Sequence, residues 1–485
     1  MTWRLEDDYA RRFPDLGLDW TPQEAPAPRL VALIDSVAAE LGLDAAWLRE
    51  PSQVAVLAGA AVPPGAHPVA QAYAGHQFGQ FAGLLGDGRA VLLGEVKDAT
   101  GALRDVSLKG SGRTAFSRGG DGKAVLGPVL RELVVSEGMQ ALGIPTTRAL
   151  AATETGEQVW RQGMERGAVL ARVAASHLRV GTFELVARQG DPTRLRALAD
   201  YAIERHQPAA RGADNPYLAL LRSVVAAQAA LLADWMAVGF IHGVMNTDNM
   251  TISGETIDYG PCAFVEAFDE NAVFSSIDTG GRYRFGQQPG IAVWNLSRLA
   301  ETLLPLIAED PAAAVGDATA AVEGFIPAFA EELLARHRHK LGLTDAREGD
   351  QALVDDFLRV LKVGAVDHTL GWRALSAVLV GDPRGAEILG GATGFDEWRA
   401  RWVERLGAFD PVDVAVRLDA ANPVHVPRNH LVEEAIAAAN ADELEPLQAL
   451  LEAVRSPFGP WDEGDRFAEP GPEAFTRSYV TYCGT

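Results

Sequence analysis

The chain has 485 residues, 48% of them apolar and 22% charged, with a formal net charge of -22. Length suggests roughly two to four domains, and this composition is that of an ordinary globular chain with ample material for a core. The acidic excess argues against a nucleic-acid or anionic-membrane binder, because both need faces rich in Lys and Arg; a local basic cleft, such as a nucleotide needs, stays compatible with it. Only Cys262 and Cys483 occur, which excludes a disulfide scaffold and any all-cysteine zinc site. The start of the chain has no apolar secretory core, and no run of about 18 apolar residues predicts a membrane span. A cytoplasmic protein is expected.

In chain order, residues 1–50 carry one amphipathic stretch, Leu30 to Leu48, predicted helical, and 51–72 read as irregular chain rich in Pro, Ala and Gly. A β-rich region follows. Phe81–Leu85 and Arg89–Val96 flank Gly86-Asp87-Gly88, which predicts a hairpin. Asp105–Lys109 is a third short strand, followed by the Gly-rich loop Gly110–Lys123. The spacing of Leu126, Val129, Leu130, Leu133, Val134 and Leu142 predicts a helix from about 127 to 142, opened by Pro128 and closed by Gly143-Ile-Pro. Thr147–Thr153 and Ala168–Ala174 are further strands. From about 195 the pattern is mostly helical, with segments near 218–238, 290–308, 318–338, 350–362 and 430–455. The expected organisation is an N-terminal extension over 1–72, a β-rich lobe with one central helix over 73–190, a helical lobe over 191–310 and its extension over 311–485.

The chemistry concentrates in Phe240–Gly260. His242 and Asn249 have the spacing of the H-R-D-x-x-x-x-N loop of protein kinases, and Asp258-Tyr-Gly stands where D-F-G supplies a magnesium ligand. The kinase base position is Val244. Either the chain is an inactive kinase or it uses a nucleoside triphosphate for another reaction. Asn249 and Asp258 are oxygen donors suited to a hard divalent cation; the plainer alternative, a surface turn rich in Asn and Asp, loses ground to the paired spacing. His242 is expected to brace the loop. Asp248 is the best remaining candidate base, a loop carboxylate in water being the alternative.

Lys109, at a strand end, pairs in expectation with Glu132 on the following helix, with Glu137 as the rival partner; an exposed lysine is the bland reading. Gly86-Asp-Gly-Arg89 and Arg118-Gly-Gly-Asp-Gly122 combine glycines with an arginine, as phosphate-binding loops do, but neither is G-x-G-x-x-G, and each is weak alone. Arg172 and Arg179 are placed to clamp phosphate, against a default of surface solubility.

Together these pieces resemble a known family. Tyr73-Ala-Gly-His-Gln-Phe-Gly, Leu85-Gly-Asp-Gly-Arg, Leu108-Lys-Gly-Ser-Gly-Arg-Thr, Ser117-Arg-Gly-Gly-Asp-Gly, Ala141-Leu-Gly-Ile-Pro-Thr-Thr-Arg-Ala-Leu, Asn246-Thr-Asp-Asn-Met, Asp258-Tyr-Gly-Pro-Cys-Ala-Phe and Asn422-Pro-Val-His-Val-Pro-Arg-Asn are similar to the selenoprotein-O (YdiU) family over nearly the whole chain. The resemblance implies an α+β, protein-kinase-like bilobal fold and a protein adenylyltransferase. Such an enzyme moves AMP from ATP to Ser, Thr or Tyr hydroxyls with Mg2+ or Mn2+, its ATP flipped relative to kinases. It implies Lys109 and Glu132 as the lysine–helix pair. Gly86, Gly88, Arg89, Asp121, Gly122, Arg172 and Arg179 are implied as nucleotide contacts, Asp248 as proton acceptor, and Asn249 and Asp258 as metal ligands. A reacting α-phosphate would explain the missing kinase base, and Arg89, Arg113, Arg118, Arg172 and Arg179 would hold the pyrophosphate leaving group. Family members in some lineages carry selenocysteine near the C-terminus, where this chain has Cys483. A reversible Cys262–Cys483 disulfide is one hypothesis, and two reduced thiols the other. Protein substrates, no nucleic acid, no membrane and a monomer complete the expectation. The competing readings are an atypical kinase, against which Val244 stands, and an ATP-binding pseudokinase scaffold, against which the retention of Lys109, Glu132, Asn249 and Asp258 stands.

Overall fold

The computed structural model describes residues 2–161 and 163–482. It is a mixed α/β structure built on an antiparallel sheet. The strands are β1 (Gly17–Asp19), β2 (Arg29–Leu33), β3 (Val69–Gln71), β4 (Gly75–Gln77), β5 (Gln80–Ala82), β6 (Ala90–Lys97), β7 (Leu103–Lys109), β8 (Ala124–Val125), β9 (Arg148–Trp160) and β10 (Met164–Ala174). The main sheet runs β1-β3-β6-β7-β10-β9-β2, with β8 also on β10. Residues before 73, expected as an extension packed on the lobes, thus supply three strands, one on one edge and two on the other.

The helix Leu126–Ala141 lies across β9 and β10. Leu126, Val129, Leu130, Leu133 and Val134 enter a core with Val106, Leu108, Leu150 and Val169. This helix has little solvent face, because the C-terminal helices Asn429–Asn440 and Glu445–Val454 cover its other side through Leu431, Val432, Ala435 and Leu450. Gly138 permits the approach: a Cβ there would lie 2.6 Å from Pro427.

Several expectations need correction. Leu30 to Leu48 is not one helix but β2 followed by short helices at Asp35–Glu40 and Ala45–Leu48; edge pairing with β9 outweighs the helical spacing of its apolar residues. The stretch 51–72 is not irregular, since it holds the helix Pro51–Leu57 and β3. The Phe81–Val96 hairpin does not form. β5 pairs back onto β4 and β6 pairs with β3 and β7, while Leu85 N and Gly86 N both donate to Tyr73 O. The segment near 318–338 divides at Gly324 into Pro311–Glu323 and Phe325–Lys340.

Beyond Pro192 the chain is mainly helical. Pro216–Val238 is apolar on nearly every face because it is enclosed by Gln288–Ile307, Pro311–Glu323 and Phe325–Lys340. It is long and apolar enough to cross a membrane, but here it is the core helix of this half. Gly239, in left-handed conformation (φ 76°), ends it and turns the chain into Phe240–Ile241, which pairs with Ala263–Phe264. These two short strands carry the segment read above as the chemical centre.

Candidate active site

Sheet register brings the first cations together. Lys109 stands opposite Leu170, and Arg172 opposite Ser107. Because strand side chains alternate with period two, Lys109 and Arg172 share one face. The segment 250–258 is laced to chain flanking the sheet: Thr147 N donates to Thr256 O at 2.9 Å, Thr256 N to Pro145 O at 2.9 Å, Val180 N to Met250 O at 2.9 Å and Ile252 N to Leu178 O at 3.0 Å. These bonds carry Asp258 under Lys109 and Arg172.

Lys109 Nζ donates to Glu132 Oε2 at 2.6 Å and to Asp258 Oδ1 at 2.5 Å. Arg172 Nη1 reaches Asp258 Oδ1 at 2.8 Å and Glu132 Oε1 at 3.3 Å. The rival Glu137 is engaged elsewhere, with Arg148 at 2.8 Å and Arg455 at 3.1 Å. Burial works to raise the Asp258 carboxyl, but Lys109, Arg172 and Arg179 outweigh it and hold it well below its ordinary range. Asp258 has φ 64°, a left-handed conformation uncommon outside glycine, and such outliers cluster at functional sites.

Arg179 is 3% exposed. Its guanidinium lies 4.3 Å from the Tyr73 ring centre, 3.6 Å from Asp87 Oδ1 and 3.8 Å from Asp258 Oδ2. Its Nε is buried without a hydrogen-bond partner among the described residues, a donor left for a ligand acceptor.

Thr247–Asn249 forms one turn of 3-10 helix. Asn249 Nδ2 donates to Val244 O at 3.0 Å, which leaves its amide oxygen as the group available to a cation. Asp248 Oδ2 accepts from Gln77 Nε2 at 3.3 Å, while Oδ1 is buried with no partner among the described residues. Burial pushes the Asp248 carboxyl up to about 6, with Arg179 opposing. His242 is fully buried and bonded through Nε2 to Ile257 O at 2.8 Å; it braces the loop, as expected.

The two glycine loops are tied to each other. Thr114 Oγ1 donates to Asp87 O at 2.6 Å, and Ser117 Oγ donates to Gly88 O. At Gly86 (φ 71°) a Cβ would sit 2.3 Å from the Phe116 ring, and at Gly122 (φ 69°) 2.2 Å from Gly112 O. Arg113, expected at phosphate, instead donates to Gly120 O at 2.9 Å and braces its own loop. Asp121 is gripped by Arg161 at 2.8 and 2.9 Å.

One cleft of about 460 Å³ is lined by Gly86, Gly88, Arg89, Lys109, Asp121, Gly122, Arg172, Arg179, Asp248, Asn249 and Asp258 together. Glu132 stands behind Lys109. Cys262 lies beneath the loop, its thiol donating to Tyr259 O at 3.2 Å and pushed by burial up to about 12; Cys483, and with it the disulfide, lies outside the described residues. Sequence reasoning missed Tyr73, Gln77, Asp87 and Arg161, all in the cleft wall. Asp87 sat inside a quoted Gly-Asp-Gly, but nothing local reveals that it folds inward against Arg179. Seven cationic side chains against four carboxylates line the cleft. In a chain of net charge -22 that inversion selects an anionic ligand.

Among the described residues no cluster of three His, Cys, Asp or Glu side chains encloses a metal ion. The oxygen donors of Asn249 and Asp258, beside an orphaned Asp248 Oδ1, nevertheless fit a magnesium-type cation, which takes one or two protein ligands and completes its shell with phosphate oxygens and water.

Comparison with known proteins agrees with this chemistry. The family model described as Protein adenylyltransferase SelO matches residues 4–455. A Mycolicibacterium smegmatis protein named Protein nucleotidyltransferase YdiU is 55% identical over 487 aligned residues, covering 99% of this chain and 98% of its own. Proteins of the same name from Cereibacter sphaeroides and Pseudarthrobacter chlorophenolicus are 52% and 53% identical, covering 100% of this chain and 100% and 99% of theirs. The class is therefore that of the nucleotidyltransferases, enzymes acting with a nucleotide on protein. Within it, the chain belongs to the SelO family.

Proposed function

We propose that this protein transfers AMP from ATP to Ser, Thr or Tyr hydroxyls of other proteins and releases pyrophosphate. The observation that carries the reading is the contrast between Val244 and Asp248. The kinase base position holds an apolar side chain, whereas a buried carboxylate, one oxygen of which has no partner among the described residues, stands four residues later. With its carboxyl near 6, Asp248 is ionised at neutral pH and basic enough to take a proton.

In this reading the acceptor hydroxyl gives its proton to Asp248 and its oxygen attacks the α-phosphorus. The bond between that phosphorus and the α,β-bridging oxygen breaks, and pyrophosphate leaves with the bond's electron pair. Lys109, Arg172 and Arg179 offset the charge that gathers on the leaving group. Gly86 and Gly88 bring backbone close to the phosphates, and Arg89, Asp121 and Gly122 complete the nucleotide wall. Asn249 and Asp258 would hold Mg2+ or Mn2+, which when bound neutralises phosphate charge. The proposal includes a kinase-like pair of lobes, supported by the helix-backed antiparallel sheet and the helical half beyond Pro192, and a monomer in a reducing cytoplasm.

The test is covalent labelling of a mixed protein pool with ATP labelled on its α-phosphate, beside Asp258→Ala. Acid-stable label lost in the variant supports adenylyl transfer. Label only from γ-labelled ATP would make the protein a kinase, and bound ATP with neither label a scaffold.

A further inference from the structure

We propose that the hairpin β4–β5 and the residues beside it form the docking surface for the acceptor polypeptide, and that this surface selects an acidic segment carrying an apolar side chain. The inference rests on the reading above that a protein hydroxyl is the acceptor.

The hairpin abuts the Asp248 carboxylate. A Cβ on Gly75 would lie 2.8 Å from Asp248 Oδ1, and Gln77 Nε2 donates to Oδ2. Phe78 N donates to Asn246 Oδ1 at 3.0 Å, and His76 N to Thr247 Oγ1 at 2.6 Å. Beneath, Glu184 accepts from Thr247 Oγ1 at 2.5 Å and is bonded to His76. The hairpin and the loop of Asp248 are therefore one rigid unit, and Gln77 and Phe78 already line the cleft.

This unit turns large apolar side chains outward. Phe78 and Phe81 are each 38% exposed and Leu84 is 55% exposed. Phe78 also holds φ 51°, which for a bulky residue is a strained conformation of the kind retained at functional positions. An apolar patch that continues from a catalytic cleft marks an interaction site. The hydroxyl of a protein can reach Asp248 only if its own chain lies along the cleft mouth, which is where this patch stands.

Charge narrows the occupant. The Arg188 guanidinium lies 5.1 Å from the Phe81 ring centre, and that of Arg282 5.1 Å from the Trp294 ring centre, with His76 packed edge-on to the same Trp294. Among the described residues neither Arg188 nor Arg282 makes an ion pair with a carboxylate. Two guanidiniums without a carboxylate partner among the described residues, Arg188 beside the exposed Phe81 and Arg282 over the half-buried Trp294, on a protein of net charge -22, complement an acidic segment and add electrostatic discrimination against basic ones.

The experiment uses the full chain and two fluorescent serine peptides with one central leucine, one flanked by Asp and Glu, the other by Lys and Arg. Binding is read by anisotropy, and transfer separately by mass with ATP and Mg2+. Arg188→Glu and Leu84→Asp change exposed residues outside the cleft. We expect the acidic peptide to bind at least about tenfold more tightly than the basic one. Each variant should weaken it about tenfold, through KM and not kcat, with ATP affinity unchanged. Equal binding of both peptides, binding of neither, or variants that bind as the parent does would overturn the proposal. Selective binding without AMP transfer would leave the docking surface standing and remove the transfer reading instead.

Discussion

Lys109 Nζ is shared between Glu132 Oε2 at 2.6 Å and Asp258 Oδ1 at 2.5 Å, so one ammonium joins a helix carboxylate to a carboxylate 149 residues further along the chain. This closed arrangement holds the Lys109 ammonium on two carboxylates at the cleft, and under the proposed function that cation meets the phosphates. Lys109→Met is expected to lower kcat/KM for ATP by about 100-fold or more. Glu137→Gln is the contrasting variant. It removes the carboxylate that Arg148 shares with Arg455 and leaves the Arg148 guanidinium with Glu40 alone, which is expected to cost about 1–3 kcal/mol of stability while the folded fraction keeps its activity. Parallel denaturant melts and steady-state kinetics separate the two.

Asp258 balances three cations, Lys109, Arg172 and Arg179. Asp258→Ala should abolish transfer and also destabilise the fold by about 3–5 kcal/mol. Because phosphates replace the lost countercharge, ATP should recover more of that loss in the variant than it adds to the parent. Thermal melts with and without ATP measure this, and equal ATP shifts in both proteins would refute it.

Asp248 sets a pH dependence. Its carboxyl is raised to about 6 in the folded protein against about 3.9 when unfolded. The folded state therefore holds the proton more tightly. The stability this gives is present below about pH 4 and is lost as pH rises through about 6. Asp248→Asn should accordingly be more stable than the parent above about pH 7, by about 1–3 kcal/mol, and inactive. In the parent, transfer should rise with pH through about 6 as the base ionises. A pH–rate profile that is flat from about 5 to 8 would remove Asp248 as the proton acceptor.

Gly86 combines φ 71° with a Phe116 ring 2.3 Å from where a Cβ would stand. Gly86→Ala must displace the Phe116 loop that forms one cleft wall. The expected result is a KM for ATP raised about tenfold or more, with a loss of about 1–3 kcal/mol in stability, read by titration calorimetry and melting.

Cys262 is buried, and its thiol is pushed up to about 12. In the native reduced protein it should resist alkylation at pH 8 for hours and react at once when unfolded. Peptide mapping under oxidising conditions decides whether it ever joins Cys483; the absence of a linked peptide would end the disulfide hypothesis.

What the sequence by itself determined is the local grammar of the site. The spacing of His242, Asn249 and Asp258, the lysine ending β7, the glycines of the two loops and the helix with Pro128 in its first turn were all legible, because each depends on residues within one or two turns or strands. Contacts between distant segments were not. The helix Leu126–Ala141 carries both Glu132 and Glu137, and only the pairing of Lys109 and Arg172 with one and of Arg148 and Arg455 with the other assigned their roles. The turn signal at Gly86-Asp87-Gly88 was real, but β5 found β4 instead of β6, and Asp87 turned inward to meet Arg179, 92 positions away in sequence. Strand pairing, burial and ion-pair choice are decided by which surfaces meet when the chain closes, and the energy of a buried charge depends on neighbours that local pattern does not contain.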